Sequence, residues 1–395
     1  MIRNRILGAA AVAAALAGLA APAAQAQSAL SARGLGYPLD AIDARSRGLG
    51  GLTVGLPEPY LSIINPAAVV GLPAAGLSVT YQGDQISSQA GVDDQDYTTS
   101  RFPAIQAAFP IGPRFVATLG YASVLDQNWS ASRLDSMVLA GEMRDVADIF
   151  QSKGGAARLR GGVGYRLGSR FDVGLALDVY TGAVRDSSVR AIEGLSSSSQ
   201  GTDYTWQGLG LSGGARWRGS AVSVSAVVTG GGELQAEPRD SGVVGQGYGL
   251  PLTVDVGASA RVAQRATGAL SVRWSQWSSA DEALGGGGTA AGAGYNGGAR
   301  DVLQVAGGVE YEGLRLLGRP LPVRLGGRFA ELPFRWSADT EFADEKAVTG
   351  GLGILFSGNT ASLELGAERG WRGGEATGID ESFWRVSFSL ALLGR

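Results

Sequence analysis

Chemistry in this chain must be done by carboxylates, guanidinium groups, hydroxyls and amides, because its 395 residues include no histidine and no cysteine. That removes Ser-His and Cys-His catalysis, imidazole and thiolate metal ligation, disulfides and a lipoprotein anchor. Three constellations remain. Asp93, Asp94 and Asp96 could hold calcium between lipopolysaccharide phosphates, but a solvated acidic loop explains them more simply. Gly208-Leu209-Gly210-Leu211-Ser212-Gly213 has GxGxxG spacing, yet it lies in a strand-like run with no helix behind it, so no nucleotide site is expected. Asn65-Pro66-Ala67 is a turn-forming triplet: an asparagine bonds nearby backbone, and Pro66 removes a donor and keeps its predecessor extended. A static turn and a gating bend fit it equally. The expectation is a non-enzyme with no cofactor and no metal; a carboxylate-only enzyme is the one catalytic class left open.

The remaining charges need elements to position them. Hydrophobic residues make up 45% of the chain and charged ones 17%, with a net charge of −3 that offers nothing to nucleic acid. Beyond residue 26 no apolar run approaches the ~18 residues of a spanning helix. Instead, the sequence alternates with period two. In Phe171–Tyr180 the odd positions are Phe171, Val173, Leu175, Leu177 and Val179, and the even ones include Asp172, Gly174 and Asp178. The stretches 252–262 and 384–392 repeat the pattern. A soluble sandwich would alternate too, so the connections decide. Strands are expected near 74–82, 101–110, 113–122, 156–167, 170–181, 204–217, 220–230, 251–263, 266–276, 301–312, 320–330, 347–356, 360–369 and 382–393. Short turns and long loops strictly alternate between them. The long loops fall near 83–100, 123–155, 182–203, 231–250, 277–300, 331–346 and 370–381; the second, with Val146–Phe150 at its end, has room for a short amphipathic helix that caps the pore or forms a ligand groove, a simple lid being the plainer alternative. An even number of strands of spanning length, with turns on one side and loops on the other, is the plan of an outer-membrane barrel. The fold class is therefore all-β: a transmembrane barrel of about 14 antiparallel strands over residues 74–395.

Alternation also sorts the faces. Inward positions hold Arg158, Arg160, Asp172, Asp178, Arg216, Asp255, Arg261, Arg273, Glu310, Arg324, Arg328, Glu364, Glu368 and Arg385. Mixed signs favour a cross-lumen network of ion pairs over an anion conduit. Tyr81, Tyr121, Tyr165, Trp217, Trp274, Tyr311, Trp336 and Trp384 suit aromatic girdles. Ahead of the barrel, Arg3 and Arg5, the apolar stretch Ile6 to Ala21, and Ala24-Gln25-Ala26 form a signal peptide over 1–26, cleaved after Ala26 on the Sec route to the cell outer membrane. Residues 27–73 do not alternate, and are rich in glycine, proline and small apolar residues. They are too few for a domain and are expected to fold back as a plug.

Ser46-Arg47-Gly48-Leu49-Gly50-Gly51-Leu52, followed by Ile64-Asn65-Pro66-Ala67-Ala68, resembles the N-terminal hatch of the FadL family of outer-membrane transport proteins. The resemblance covers about residues 46–72 at motif level and the mature chain in architecture. It implies fourteen strands, a plug whose gating motif is Asn65, Pro66 and Ala67 with plug-turn glycines Gly48, Gly50 and Gly51, and passive uptake of fatty-acid-like or aromatic hydrophobic compounds. Implied partners are outer-membrane lipids, lipopolysaccharide and a hydrophobic ligand. PorV-like members of the family are matched equally well, so a scaffold for secretion-system or surface proteins is the alternative, and a general diffusion porin another.

Overall fold

Residues 28–56, 59–90, 93–139, 141–239, 245–285, 297–356 and 360–394 are described in this computed structural model; the signal segment lies outside them. Eighteen strands form one sheet. Four are accessory: Tyr37–Pro38, Trp129–Leu139, Glu233–Pro238 and Gln246–Gly249. The other fourteen make the wall: β1 Gly76–Ala90, β2 Asp93–Ile111, β3 Phe115–Asp126, β4 Glu142–Arg166, β5 Phe171–Ile192, β6 Ser198–Arg218, β7 Val222–Gly231, β8 Thr253–Ala263, β9 Ala266–Ser275, β10 Val302–Leu316, β11 Arg319–Arg335, β12 Phe342–Phe356, β13 Ala361–Gly374 and β14 Ile379–Leu393. Each pairs antiparallel with the next, and β14 pairs with β1 from Asp380↔Gln89 to Leu393↔Gly76, which closes the cylinder. Every expected strand is present. Closure is what lipid demands, since an open edge would leave backbone groups unpaired in hydrocarbon.

The faces divide as expected. Leu119, Leu175, Leu211 and Leu325 are between 62% and 74% exposed on the outside, while Asp172, Asp178, Arg216 and Asp255 are at most 1% exposed within. This inversion of a soluble core marks a transmembrane barrel of the outer-membrane kind. Among the described residues no helix is long and apolar enough to cross a membrane.

Several expectations need correction. Much of the long-loop sequence is strand: β4, β5 and β6 run well beyond spanning length and, with Trp129–Leu139, project as a four-stranded sheet. The helix expected at Val146–Phe150 is part of β4, paired to Ser132–Asp135 and Ala131 on one side and to Ser188–Ile192 on the other. β-Branched Val146 and Ile149 suit that two-sided pairing better than a helix. Arg261 is exposed: it is the last residue of β8 in register before the shift to Ala263 at the turn end. Trp336 lies past the end of β11 with the Arg33 guanidinium 4.1 Å over its ring, so it is no girdle residue.

One seam is incomplete. β2 and β3 pair only from Ala104↔Ala122 down to Ile111↔Phe115. Above this, Pro103 has no N–H to give, β3 bulges between Ser123 and Leu125, and the strands part. The freed edge of β3 pairs instead with the N-terminal segment, Tyr37↔Asp126 and Pro38↔Leu125, and the Leu39 N–H donates to the Val124 carbonyl at 2.8 Å.

Candidate functional site

Residues 28–56 and 59–75 pack against inward-facing positions of the wall, and the two sequence motifs sit at different places on it. The Asn65 side chain is fully buried, and its Oδ1 accepts from the Ala67 N–H at 2.9 Å, so the triplet forms a hydrogen-bonded turn. It lies on three inward glycines in register on neighbouring strands, Gly164 of β4, Gly174 of β5 and Gly214 of β6. A Cβ on Gly174 would stand 2.6 Å from the Pro66 carbonyl carbon, and one on Gly164 2.8 Å from the Pro66 oxygen. Only a wall stripped of side chains admits this backbone. Gly48 closes a short helix, α1 (Ala44–Gly48), capped by Asp43 through its bond from the Ser46 N–H. Gly50 and Gly51 follow with φ of 87° and 83°, in the left-handed region glycine tolerates. Gly48, Leu49 and Gly50 meet a second bare patch, Gly308, Gly326, Gly351 and Gly366 on β10–β13, where Thr349 Oγ1 accepts from the Gly50 N–H and donates to the Gly48 carbonyl. β5 and β12 are seven places apart in a ring of fourteen, so the motifs are not brought together. They brace the segment against opposite walls.

Charge pins the rest. Arg160 makes a two-pronged pair with Asp178 and donates from Nη1 to the carbonyls of Ile63 and Ile64, both at 2.7 Å. Arg216 pairs with Asp172 and donates to the carbonyls of Ala68 and Val70. On the far side Arg45 bonds Glu310, and Arg47 bonds Glu368 and Gln82. Asp40 accepts from Arg273 at 3.1 Å and Arg328 at 2.6 Å. Burial pushes the Asp40 carboxyl up, but Arg328, Arg273 and Arg47 together hold it below the ordinary carboxylate range. Tyr37, which donates to Glu345, is pushed up to about 12 by burial. Every lumen charge named from sequence except Arg261 joins this lattice, Arg158 at 3.8 Å from Asp178. Sequence reasoning missed Asp40, Tyr37, Arg372 and the glycine patches. A signal existed for the last: Gly-Gly pairs at 161–162, 213–214, 307–308, 326–327 and 350–351 interrupt the strands.

Between the segment and the long-loop end of the wall lies a cavity of about 170 Å³. Leu35, Leu39, Leu234, Leu250, Trp277, Val302 and Leu332 supply apolar wall; Arg158, Arg273 and Asp255 supply polar wall; Ser123, Val124 and Leu125 bring it to the β2–β3 seam. An aromatic cluster packs behind Leu35, Leu234 and Trp277 of its wall. Trp206, Tyr204 and Tyr248 stack edge-on, Trp277 stacks on Phe334, and the Trp206 Nε1–H donates to Gln127 Oε1 at 2.8 Å. Among the described residues no cluster suits a metal ion; the side chains of Asp93 and Asp94 lie outside them.

A closed, even-stranded barrel with an apolar belt, a charged lumen and an internal N-terminal segment defines the class as outer-membrane β-barrels of FadL-like fold. The chain belongs to the BamG family, whose family model matches residues 1–230. A Pseudomonas aeruginosa FadL homologue is similar at 12% identity and a TM-score of 0.59, covering 90% of this chain and 99% of that one. The Ralstonia pickettii toluene transporter TbuX is similar at 14% identity and a TM-score of 0.58, over 90% of this chain and 99% of that one. The CymD monoaromatic hydrocarbon channel is similar at 15% and 0.56, over 93% and 99%. At such identities the likeness is one of fold. No curated protein matches the chain.

Proposed function

We propose that this chain is an outer-membrane channel for passive uptake of small hydrophobic compounds, with residues 27–73 as its plug and Asn65-Pro66-Ala67 as the bend of that plug. The observation that carries the reading is the cavity of about 170 Å³ beside the parted β2–β3 seam. An apolar cavity of roughly 150 Å³ takes benzene, so the space suits a single aromatic ring. Trp277 and the leucines would hold it, and the seam would let it pass into lipid without crossing the charged lumen. Two of the similar proteins, named for toluene and for monoaromatic hydrocarbons, agree with that size. The same reading has the protein exported by the Sec route, cut after Ala26, and set among outer-membrane lipids and lipopolysaccharide.

Nitrobenzene, a toluene-sized quencher, tests it. Titrated into the purified barrel, it should quench Trp277 saturably, a signal lost in Trp277→Phe. Filling the cavity with Leu250→Phe and Val302→Phe should weaken binding at least tenfold. Linear, unsaturable quenching in the native barrel, or unchanged binding in the filled one, would refute the reading.

One observation favours a second function. The sheet that projects beyond the barrel carries exposed Leu134, Val138 and Met143 and ends in the strand Trp129–Leu139, paired on one side only. Such an edge can accept a partner's strand, which suits a protein scaffold. Co-purification with surface or secretion proteins that is lost when residues 129–139 are deleted would move the assignment to that role.

A further inference from the structure

The upper cavity is one of three spaces in line down the lumen. A middle space of about 20 Å³ shares Ala41 and Ile64 with the cavity above. It shares Asp43, Tyr60, Leu61 and Ser78 with a lower space of about 520 Å³. The lower space reaches the short-turn end, at Leu314, Pro320 and Thr360. From one mouth to the other, the same few residues of the N-terminal segment form the floor of one space and the ceiling of the next.

The middle space has a two-sided lining: Ser46, Thr53, Ser62, Ser78, Thr80 and Gln106 form its polar side, and Ala41, Ile42, Ile63, Ile64 and Ala104 its apolar side. Thr53 Oγ1 and Gln106 Nε2 are buried there without a hydrogen-bond partner in the protein. Buried orphans of this kind are ordinarily satisfied by water, and the volume is enough for one molecule. The apolar side belongs to a buried apolar layer. Ala41, Ile42, Val54, Ile63 and Ile64 of the segment pack with Ala104, Ala122 and Val227 of the wall, all buried. Arg160 fixes that layer's height by holding the carbonyls of Ile63 and Ile64.

We propose that the lumen contains a second, polar route, for uncharged solutes between water and glycerol in size, closed by a hydrophobic gate at Ala41 and Ile64. A narrow apolar ring stops conduction by shedding water, without needing to be sterically sealed. It stops ions most firmly, because a charge in an apolar ring loses its hydration and gains no partner. The route differs from uptake through the seam in running along the barrel axis, and the two meet at Ala41 and Ile64, which line the aromatic-sized cavity as well.

Liposome swelling in glycerol reads the gate directly. Native protein in phosphatidylcholine liposomes should swell little faster than protein-free liposomes. Ile64→Ala should swell at least tenfold faster, and Ala41→Leu added to it should refill the ring and return the rate to the native level. If Ile64→Ala fails to fold, judged by loss of heat-modifiable gel mobility, Ala41→Ser wets the same ring without removing bulk and should show the same rise. Folded opening variants that swell no faster than native protein would overturn the proposal. So would a fast rate that survives refilling, because the solute would then be passing elsewhere. Nitrobenzene quenching of Trp277 is read on the native protein, because Ala41 and Ile64 also line the upper cavity. Unsaturable quenching there with the swelling pattern intact counts against the uptake reading and not against the gate.

Discussion

Where Pro66 crosses the wall, Gly174 is wanted for the side chain it lacks. A valine there keeps β5 a strand, since β-branched residues suit strands, but its Cβ would stand 2.6 Å from the Pro66 carbonyl carbon. Overpacking of this kind costs about 1–3 kcal/mol, and the barrel can relieve it by releasing the segment. In Gly174→Val the barrel should therefore still form, while trypsin gains access to Arg45 and Arg47, buried or half-buried in the native protein. Continued protection of both arginines would mean the glycine row is not a dock. The glycines escaped sequence reasoning for a physical reason. A residue without a side chain leaves no mark in a hydropathy pattern, and its use depends on what the other wall delivers. The Asn65 turn was legible, because an asparagine before a proline carries its bonding preference locally. Asp40 was not: it is one carboxylate in a segment without alternation, and its meaning comes from Arg273 and Arg328, hundreds of residues on.

At the scale of the strand, legibility followed lipid. Wherever one face meets hydrocarbon the sequence must alternate, and all fourteen strands could be read to within a few residues at their turn ends. Where the same strands continue into water, as in β5 past Thr181 or β4 before Ala156, polar residues stand on both faces and the alternation vanishes. Pairing persists there on backbone bonds and on cross-strand charges such as Arg185 with Asp203 and Arg190 with Asp148. The two regimes predict different tolerance. Leu175, on the belt, is 68% exposed; Leu175→Arg should cost roughly 2–4 kcal/mol, falling towards the interfaces. Val189→Arg, in the projecting part of β5, should cost under ~0.5 kcal/mol, as surface changes do. Urea unfolding in liposomes measures both. Equal costs would mean the belt has been drawn in the wrong place.

Across the whole molecule, the absence of cysteine makes sidedness easy to test. Leu317, at the tip of the β10–β11 turn, and Met143, in the projecting sheet, are 93% and 73% exposed. A membrane-impermeant thiol reagent on intact cells should label Met143→Cys and leave Leu317→Cys untouched until the cells are opened. The reverse pattern would turn the barrel upside down. The closed ring also fixes an order of events. Ser28 bonds Glu381 of the last strand, Arg47 bonds Glu368 of the one before it, and both belong to a stretch synthesised ahead of the first strand. Drawing that stretch up a finished cylinder would mean parting buried guanidinium–carboxylate contacts one tier at a time. Laying the wall around it requires no such rupture. The β14–β1 seam, whose partners lie some three hundred residues apart along the chain, also carries the greatest loop-closure entropy. Wrapping the wall around these residues, with the β14–β1 zipper closing last, is accordingly the order of assembly that parts the fewest of these contacts.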